Sequence, residues 1–195
     1  MASATLVNRR DFLKSTAATG AALVIGFHLS PSVFAKSDAE DQEKKTVNPF
    51  DAWIRITPDN QVTLIVGKSE MGQGIMTALP MILAEELSLD WKQVKIEQAP
   101  TNPKIYDHGT GGSGSVAGAY LPMRQAGAAA REMLVTAAAQ RWNVNRDTCH
   151  PQNGGVLHGA RKQFLTYGEL APDAAKLPLP DFKTVPLKNS SDFTI

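Results

Sequence analysis

Residues 61–87 read QVTLIVGKSEMGQGIMTALPMILAEEL. Three kinds of segment follow one another here. Residues 61–66 alternate and are rich in β-branched side chains, which favours a strand. Residues 67–72 open a polar loop whose glycines continue to Gly74. Residues 74–87 then place Ile75, Leu79, Ile82 and Leu83 on one helical face. Pro80 interrupts that pattern, removes a hydrogen bond to Met76 and is expected to kink or shorten the first turns.

Working outward, AWIRI (52–56) is a second strand-like run, and Thr57-Pro58-Asp59-Asn60 supplies turn residues between the two. A β-hairpin is predicted. Leu89-Asp90-Trp91 turns the chain, and QVKIEQA (93–99) is a third strand. Residues 100–115, PTNPKIYDHGTGGSGS, form a long loop with its glycines late. Residues 116–144 predict a long alanine-rich helix with Ala130, Met133, Leu134, Ala137 and Ala138 as its buried stripe. So many alanines imply a close neighbour on that face, and Pro122 implies an irregular start. GGVLH (154–158) and QFLTY (163–167) predict a second hairpin around 159–162. Thr166 and Glu169 have the spacing of a capping box, so a short helix starts there. The predicted class is α+β: mixed strands packed by two main helices. Residues 173–195 read as an extended connector that looks truncated.

Composition sets limits. Apolar residues make up 43% and charged residues 20% of the 195 positions, ordinary values for a globular chain. The net charge of +1 argues against a dedicated nucleic-acid binder. Cys149 is the single cysteine, which excludes an intrachain disulfide and a cysteine-rich metal site.

The N-terminus has the order of an export signal. Asn8-Arg9-Arg10-Asp11-Phe12-Leu13-Lys14 carries paired arginines, although Asn8 stands where Ser or Thr is commoner. An uncharged run follows from Ser15 to Leu29, short for a membrane span. Val33 and Ala35 then sit as a cleavage site requires. Residues 1–35 are expected to be a twin-arginine signal cleaved after Ala35, the alternatives being a membrane anchor or an ordinary amphipathic helix. Loss of that segment leaves 17 basic and 18 acidic residues. Residues 36–48 are polar and unpatterned, as in a linker. Residues 49–172 would be the folded domain.

Two units share one design of strand, glycine-rich loop and helix: VGKSEMGQG before the first helix and HGTGGSGS before the second. A helix N-terminus offers free N–H groups, and glycines admit a ligand close to the backbone. The pair is a candidate anion cradle. Two better-known phosphate motifs do not fit. A P-loop ending at Gly67-Lys68-Ser69 needs glycine at position 62, which is Val62. A dinucleotide fingerprint at Gly72 and Gly74 needs a third glycine where Thr77 stands, and no clear βαβ unit is apparent. His108, His150 and His158 lack metal-ligand spacing. Asp107-His108 read as a solvated loop pair, Cys149 as an idle buried thiol, Glu85-Glu86 as a solvated helix face and Glu70 as a cap on loop amides.

Taken together, residues 48–87 with VKIEQAP, GTGGSGSV and RQAGAAAREML closely resemble the molybdenum-binding subunit of the xanthine dehydrogenase and aldehyde oxidase family, in its isoquinoline 1-oxidoreductase beta-subunit type. The resemblance covers residues 48–195. It implies a molybdopterin cofactor, in bacteria often the cytosine dinucleotide form, whose dithiolene holds the metal without a protein ligand. It implies hydroxylation of aldehydes or N-heteroaromatics with water as oxygen source. Electrons would leave through iron–sulfur clusters on a partner subunit, towards a cytochrome or another acceptor. Gly72, Gln73 and Gly74 would donate amides to the pterin; Gly112, Ser113, Gly114 and Ser115 would take the phosphates. Gly114 stands where the family usually has a larger residue. The family's catalytic glutamate lies further downstream, so this chain alone is expected to be inactive and no catalytic residue is assigned within it. The implied location is the periplasm, with membrane association through partners. The competing readings are a free-standing non-catalytic secreted domain and one half of a split enzyme.

Overall fold

The computed structural model describes residues 23–26, 52–101, 106 and 109–195. The linker 36–48, the Asp107-His108 pair and the paired arginines lie outside these residues.

The chain is α+β, with two sheets and three helices among the described residues. The first sheet runs β1 (Leu23–Gly26), β2 (Ala52–Ile56), β3 (Val62–Val66), β4 (Val94–Gln98) in spatial order. β1/β2 and β2/β3 are antiparallel, and β3/β4 is parallel. Every residue of β3 is buried, which is why it reads as an unbroken apolar run. Helix α1 (Ile75–Glu86) joins β3 to β4. This strand–helix–strand connection is a βαβ unit, contrary to the sequence reading. Hairpin signals around 57–60 had masked it, because β3 pairs with β2 on one side and with β4 on the other.

Helix α2 (Ser115–Trp142) packs along α1. Its predicted stripe, Ala130, Met133, Leu134, Ala137 and Ala138, is buried. Both helices run through their prolines, Pro80 and Pro122, so neither proline shortens its helix. A second sheet, β5 (Cys149–Gln152), β6 (Gly155–His158), β7 (Gln163–Thr166), is antiparallel throughout. The β6/β7 hairpin is as predicted; β5 is an addition. Helix α3 (Tyr167–Ala174) starts on the predicted capping box. Thr166 Oγ1 accepts from Glu169 N at 3.2 Å, and Glu169 Oε2 accepts from Thr166 N at 2.8 Å. The Tyr167 hydroxyl donates to Leu87 O at 2.6 Å and ties α3 to the end of α1; burial pushes this phenol well above its ordinary pKa.

The α1/α2 contact corrects one expectation. Glu85 and Glu86 are 6% and 0% exposed, so neither lies on a solvated face. Glu86 receives Arg124 Nε at 2.6 Å and Arg131 Nη1 at 2.8 Å. Glu85 receives Lys188 Nζ at 2.6 Å and the amides of Thr194 and Ile195 at 2.8 Å each. Burial pushes the Glu85 carboxyl up, but the lysine and the two amides outweigh it and hold it below its usual range. The predicted connector 173–195 begins inside helix α3 (Tyr167–Ala174), continues through turns and a short 3-10 turn at Ser190–Asp192, and is tied to α1 by these bonds.

Gly127 sits where the two helices meet. A Cβ there would fall 2.7 Å from Glu86 Cβ and 2.9 Å from Leu83 O. Helix α1 begins in a different way. Its N-cap, Gly74, has φ +81° and no side chain to cap with. The Glu70 carboxylate accepts instead from the amides of Gly72 (2.7 Å), Gly74 (3.1 Å) and Met76 (3.1 Å). These bonds, Met76 first and Gly74 next, hold the Glu70 carboxyl below its ordinary value of 4.5.

Two predictions follow from this packing. Gly127→Val forces the helices apart and lowers stability by about 1–3 kcal/mol in urea unfolding; an unchanged midpoint contradicts the close approach. Because the folded pKa of Glu70 is depressed, its capping contribution is present above 4.5 and is lost as pH falls through the folded value. Amide protection at Gly74 and Met76, followed between about pH 6 and pH 3, then drops in the wild type. In Glu70→Gln the protection is lower at the start and flat.

Candidate functional site

The two parallel strands β3 and β4 end side by side. Each leads from its carboxyl end into a glycine-rich loop, and each loop leads into a helix. Crevices outside the carboxyl ends of parallel strands are favoured ligand sites, because loop backbone and helix N-termini converge there. The sequence had indicated two such loops; the fold brings them together. Lys68 Nζ donates to Gly109 O at 2.8 Å. Ser69 N donates to Thr110 Oγ1 at 3.2 Å. Gln98, at the end of β4, donates through Nε2 to Val66 O at 2.8 Å and Lys68 O at 3.3 Å. These three residues, with Thr110, weld the loops into one surface. Sequence reasoning missed Lys68 and Gln98, although polar residues at the ends of apolar strands were the available signal; Thr110 opens the segment 110–115 that the resemblance implied as a cofactor loop.

The first loop is shaped from within. Gly67 lies against the Trp53 ring, which meets Tyr106 edge-on at 5.6 Å. Gln73 Oε1 accepts from Met71 N at 2.6 Å, and Gln73 Nε2 donates to Ser69 O at 2.9 Å. The amides of Gly72 and Gly74, expected to donate to a ligand, donate here to Glu70. Glu70 is thus the loop cap that the sequence suggested. Gly72 has φ +92°, a conformation that side chains rarely adopt, and a Cβ at either Gly72 or Gly74 would meet nothing within 4 Å. What this loop offers outward is open glycine backbone, with Met71 beside it at 70% exposure.

The second loop differs. Gly112 and Ser113 are consecutive left-handed residues, at φ +58° and +55°. Gly114 caps α2 with backbone alone; no side chain accepts from the first-turn amides, and that turn holds no acidic residue. A Cβ at Gly111 or Gly112 would meet open space. The chemistry of this end is that of an anion site: N–H donors, the positive end of a 28-residue helix, and the hydroxyls of Ser113 and Ser115. An anionic group fits the second loop, and a flat group fits against the glycine surface of the first. Apolar side chains of the first turns of α2, Val116, Tyr120 and Leu121, are exposed nearby in sequence.

Other candidates are structural. His158 is buried; its Nδ1 accepts from Arg161 N at 3.2 Å, which leaves Nε2 to donate to Thr148 Oγ1 at 3.2 Å. Cys149 is a buried free thiol on β5. Among the described residues no group of three His, Cys, Asp or Glu side chains could hold a metal ion. A groove of about 200 Å³ lies elsewhere, between α1, α2 and the tail, with Arg124 stacked between the Tyr120 and Phe193 rings. No helix among the described residues is long and apolar enough to cross a membrane.

The chain is similar in sequence and in fold to several known proteins. The isoquinoline 1-oxidoreductase subunit beta of Brevundimonas diminuta is 34% identical over 171 residues, 84% of this chain and 22% of that protein. A membrane-bound aldehyde dehydrogenase [pyrroloquinoline-quinone] of Gluconacetobacter polyoxogenes is 32% identical over 95% of this chain and 24% of its own length. The chain therefore spans less than a quarter of the length of these curated relatives. Among solved structures, quinoline 2-oxidoreductase from Pseudomonas putida 86 aligns with a TM-score of 0.50 and 26% identity, over 66% of this chain and 17% of that one. CO dehydrogenase from Oligotropha carboxidovorans aligns with a TM-score of 0.50 and 27% identity, over 61% and 15%. Residues 3–194 match the family described as molybdopterin cofactor-binding domain, and the chain belongs to that family.

Proposed function

We propose that this chain supplies part of the surface that holds a molybdopterin cofactor in an oxidoreductase acting on aldehydes or N-heteroaromatic compounds. The observation that carries the reading is the pair of welded glycine loops at the carboxyl ends of β3 and β4, one of which ends in an uncapped helix N-terminus. Gly112, Ser113, Gly114 and Ser115 take the phosphate end, through backbone N–H groups and the two hydroxyls. Gly72, Gln73 and Gly74 take the pterin side. Gln73 and Glu70 fix the loop, and Gly72 and Gly74 give a flat ring system an unobstructed approach. When bound, the cofactor would supply the two-electron redox chemistry. The residues described here bind and orient it, and none is positioned as an acid, base or nucleophile.

The rest of the reading concerns the assembly. The cofactor is the cytosine dinucleotide form, whose added nucleotide and second phosphate extend the anionic part. Electrons leave to iron–sulfur clusters on a partner subunit and from there to an acceptor such as a cytochrome. The paired arginines direct export by the twin-arginine route to the periplasm, which suits a protein that folds around its cofactor before transport. Support for a partner subunit comes from the relative that is named a subunit beta.

Ser115→Asp in the native, full protein separates ligand capture from folding. A carboxylate in the first turn favours an isolated helix by about 0.3–1 kcal/mol but repels a phosphate placed there. The expected result is at least about tenfold lower molybdenum content with an unchanged or raised melting temperature. Full molybdenum loading would sink the assignment of this loop.

A further inference from the structure

We infer that Leu23–Gly26 is a permanent strand of the folded domain, so the apolar run of the export signal stays in the mature protein and is not cut away at Ala35. Four observations point the same way. The segment pairs antiparallel with β2, with Leu23 opposite Ile56, Val24 opposite Arg55, Ile25 opposite Ile54 and, after a register shift, Gly26 opposite Ala52. The same backbone, the outer strand of the sheet, lies close to both α2 and α3. The family match begins at residue 3, well inside the signal.

The fourth observation concerns β2. Trp53, Ile54 and Ile56 are 2%, 0% and 0% exposed, on alternate faces of the strand. Without β1, this strand would be the edge of the sheet. Edge strands of soluble proteins are normally blunted by lysine, proline or a bulge, because bare N–H and C=O groups recruit foreign strands. β2 holds no lysine or proline, but it carries Arg55, and its register to β1 shifts past Trp53; its pairing to β3 is regular. Trp53, Ile54 and Ile56 together bury side chains on both faces of β2, as in an interior strand. The register also closes the chain locally, since Gly26 lies opposite Ala52. The chain between them holds 25 residues. A cut after Ala35 would sever that connection and leave β1 attached by pairing alone.

Two measurements on the native, full-length protein decide the matter. The first is the intact mass and N-terminal sequence of the subunit recovered from the periplasm. The expected N-terminus lies upstream of Leu23; an N-terminus at Lys36 overturns the inference. The second is hydrogen exchange at residues 53–56, compared between wild type and Val24→Pro/Ile25→Pro. Adjacent prolines remove a ladder donor whichever of the two N–H groups faces β2. Exchange in the variant is expected to be at least about tenfold faster there, with little change in β6 and β7. Equal exchange in β2 overturns the inference. The mass needs no variant, so it decides even where the double proline prevents folding. Where the protein stays in the cytoplasm, exchange decides alone, and the failure then belongs to the export reading.

Discussion

Glu86 has no exposed surface and is held from two sides by Arg124 and Arg131 of a single helix. These arginines flank Gly127, and the three positions, 124, 127 and 131, lie on one face of α2 at intervals of three and four. Gly127 lets the helices approach until Glu86 fits between the two guanidinium groups. A buried carboxylate left without partners costs several kcal/mol, roughly 3–5 when one partner is removed. The arrangement therefore specifies one mutual position of α1 and α2. Arg131 also donates to Glu86 O and Pro186 O, and Lys188 N donates to Glu86, so the tail is fixed by the same cluster.

That packing matters for the site because both helices begin at the glycine loops. Gly127 lies 12 residues into α2, roughly 18 Å along its axis at 1.5 Å per residue. The Lys68–Gly109 and Ser69–Thr110 bonds join the loops where the helices begin. The βαβ unit fixes the loops from the other side, since β3 and β4 run in register from Val62–Val94 to Val66–Gln98. A surface held from strands below and from helices behind is fixed in shape before any ligand arrives. The loops divide the work. Glu70 already satisfies amides of the first, which leaves the second as the place where an added anion finds donors.

The sequence was informative where local chemistry alone decides structure. AWIRI, QVTLIV, the Thr166–Glu169 capping box and the buried stripe of α2 each follow from spacing within a few residues. It was silent where a distant partner decides. Nothing near Glu85 and Glu86 announces Arg131 or Lys188, which lie 45 and 103 residues away along the chain. CHPQ has neither alternation nor β-branched residues, and it becomes β5 because β6 offers it a partner. The parallel pairing of β4 was hidden in the same way, since a hairpin signal explained β3 completely. For the site, both loops were legible as glycine-rich turns before helices. Their contact was not, because Lys68, Gln98 and Thr110 are unremarkable residues until the strand ends converge. The Glu70 cap was legible, but its consequence for the Gly72 and Gly74 amides needed the geometry.

The central claim is that the loops after β3 and β4 form a single cofactor surface. An experimental density map of the native, molybdenum-containing protein tests it most directly. The account predicts density for the phosphate end of the cofactor against residues 112–115 and for the pterin beside residues 72–74. A map in which the cofactor is present but lies away from both loops would contradict it.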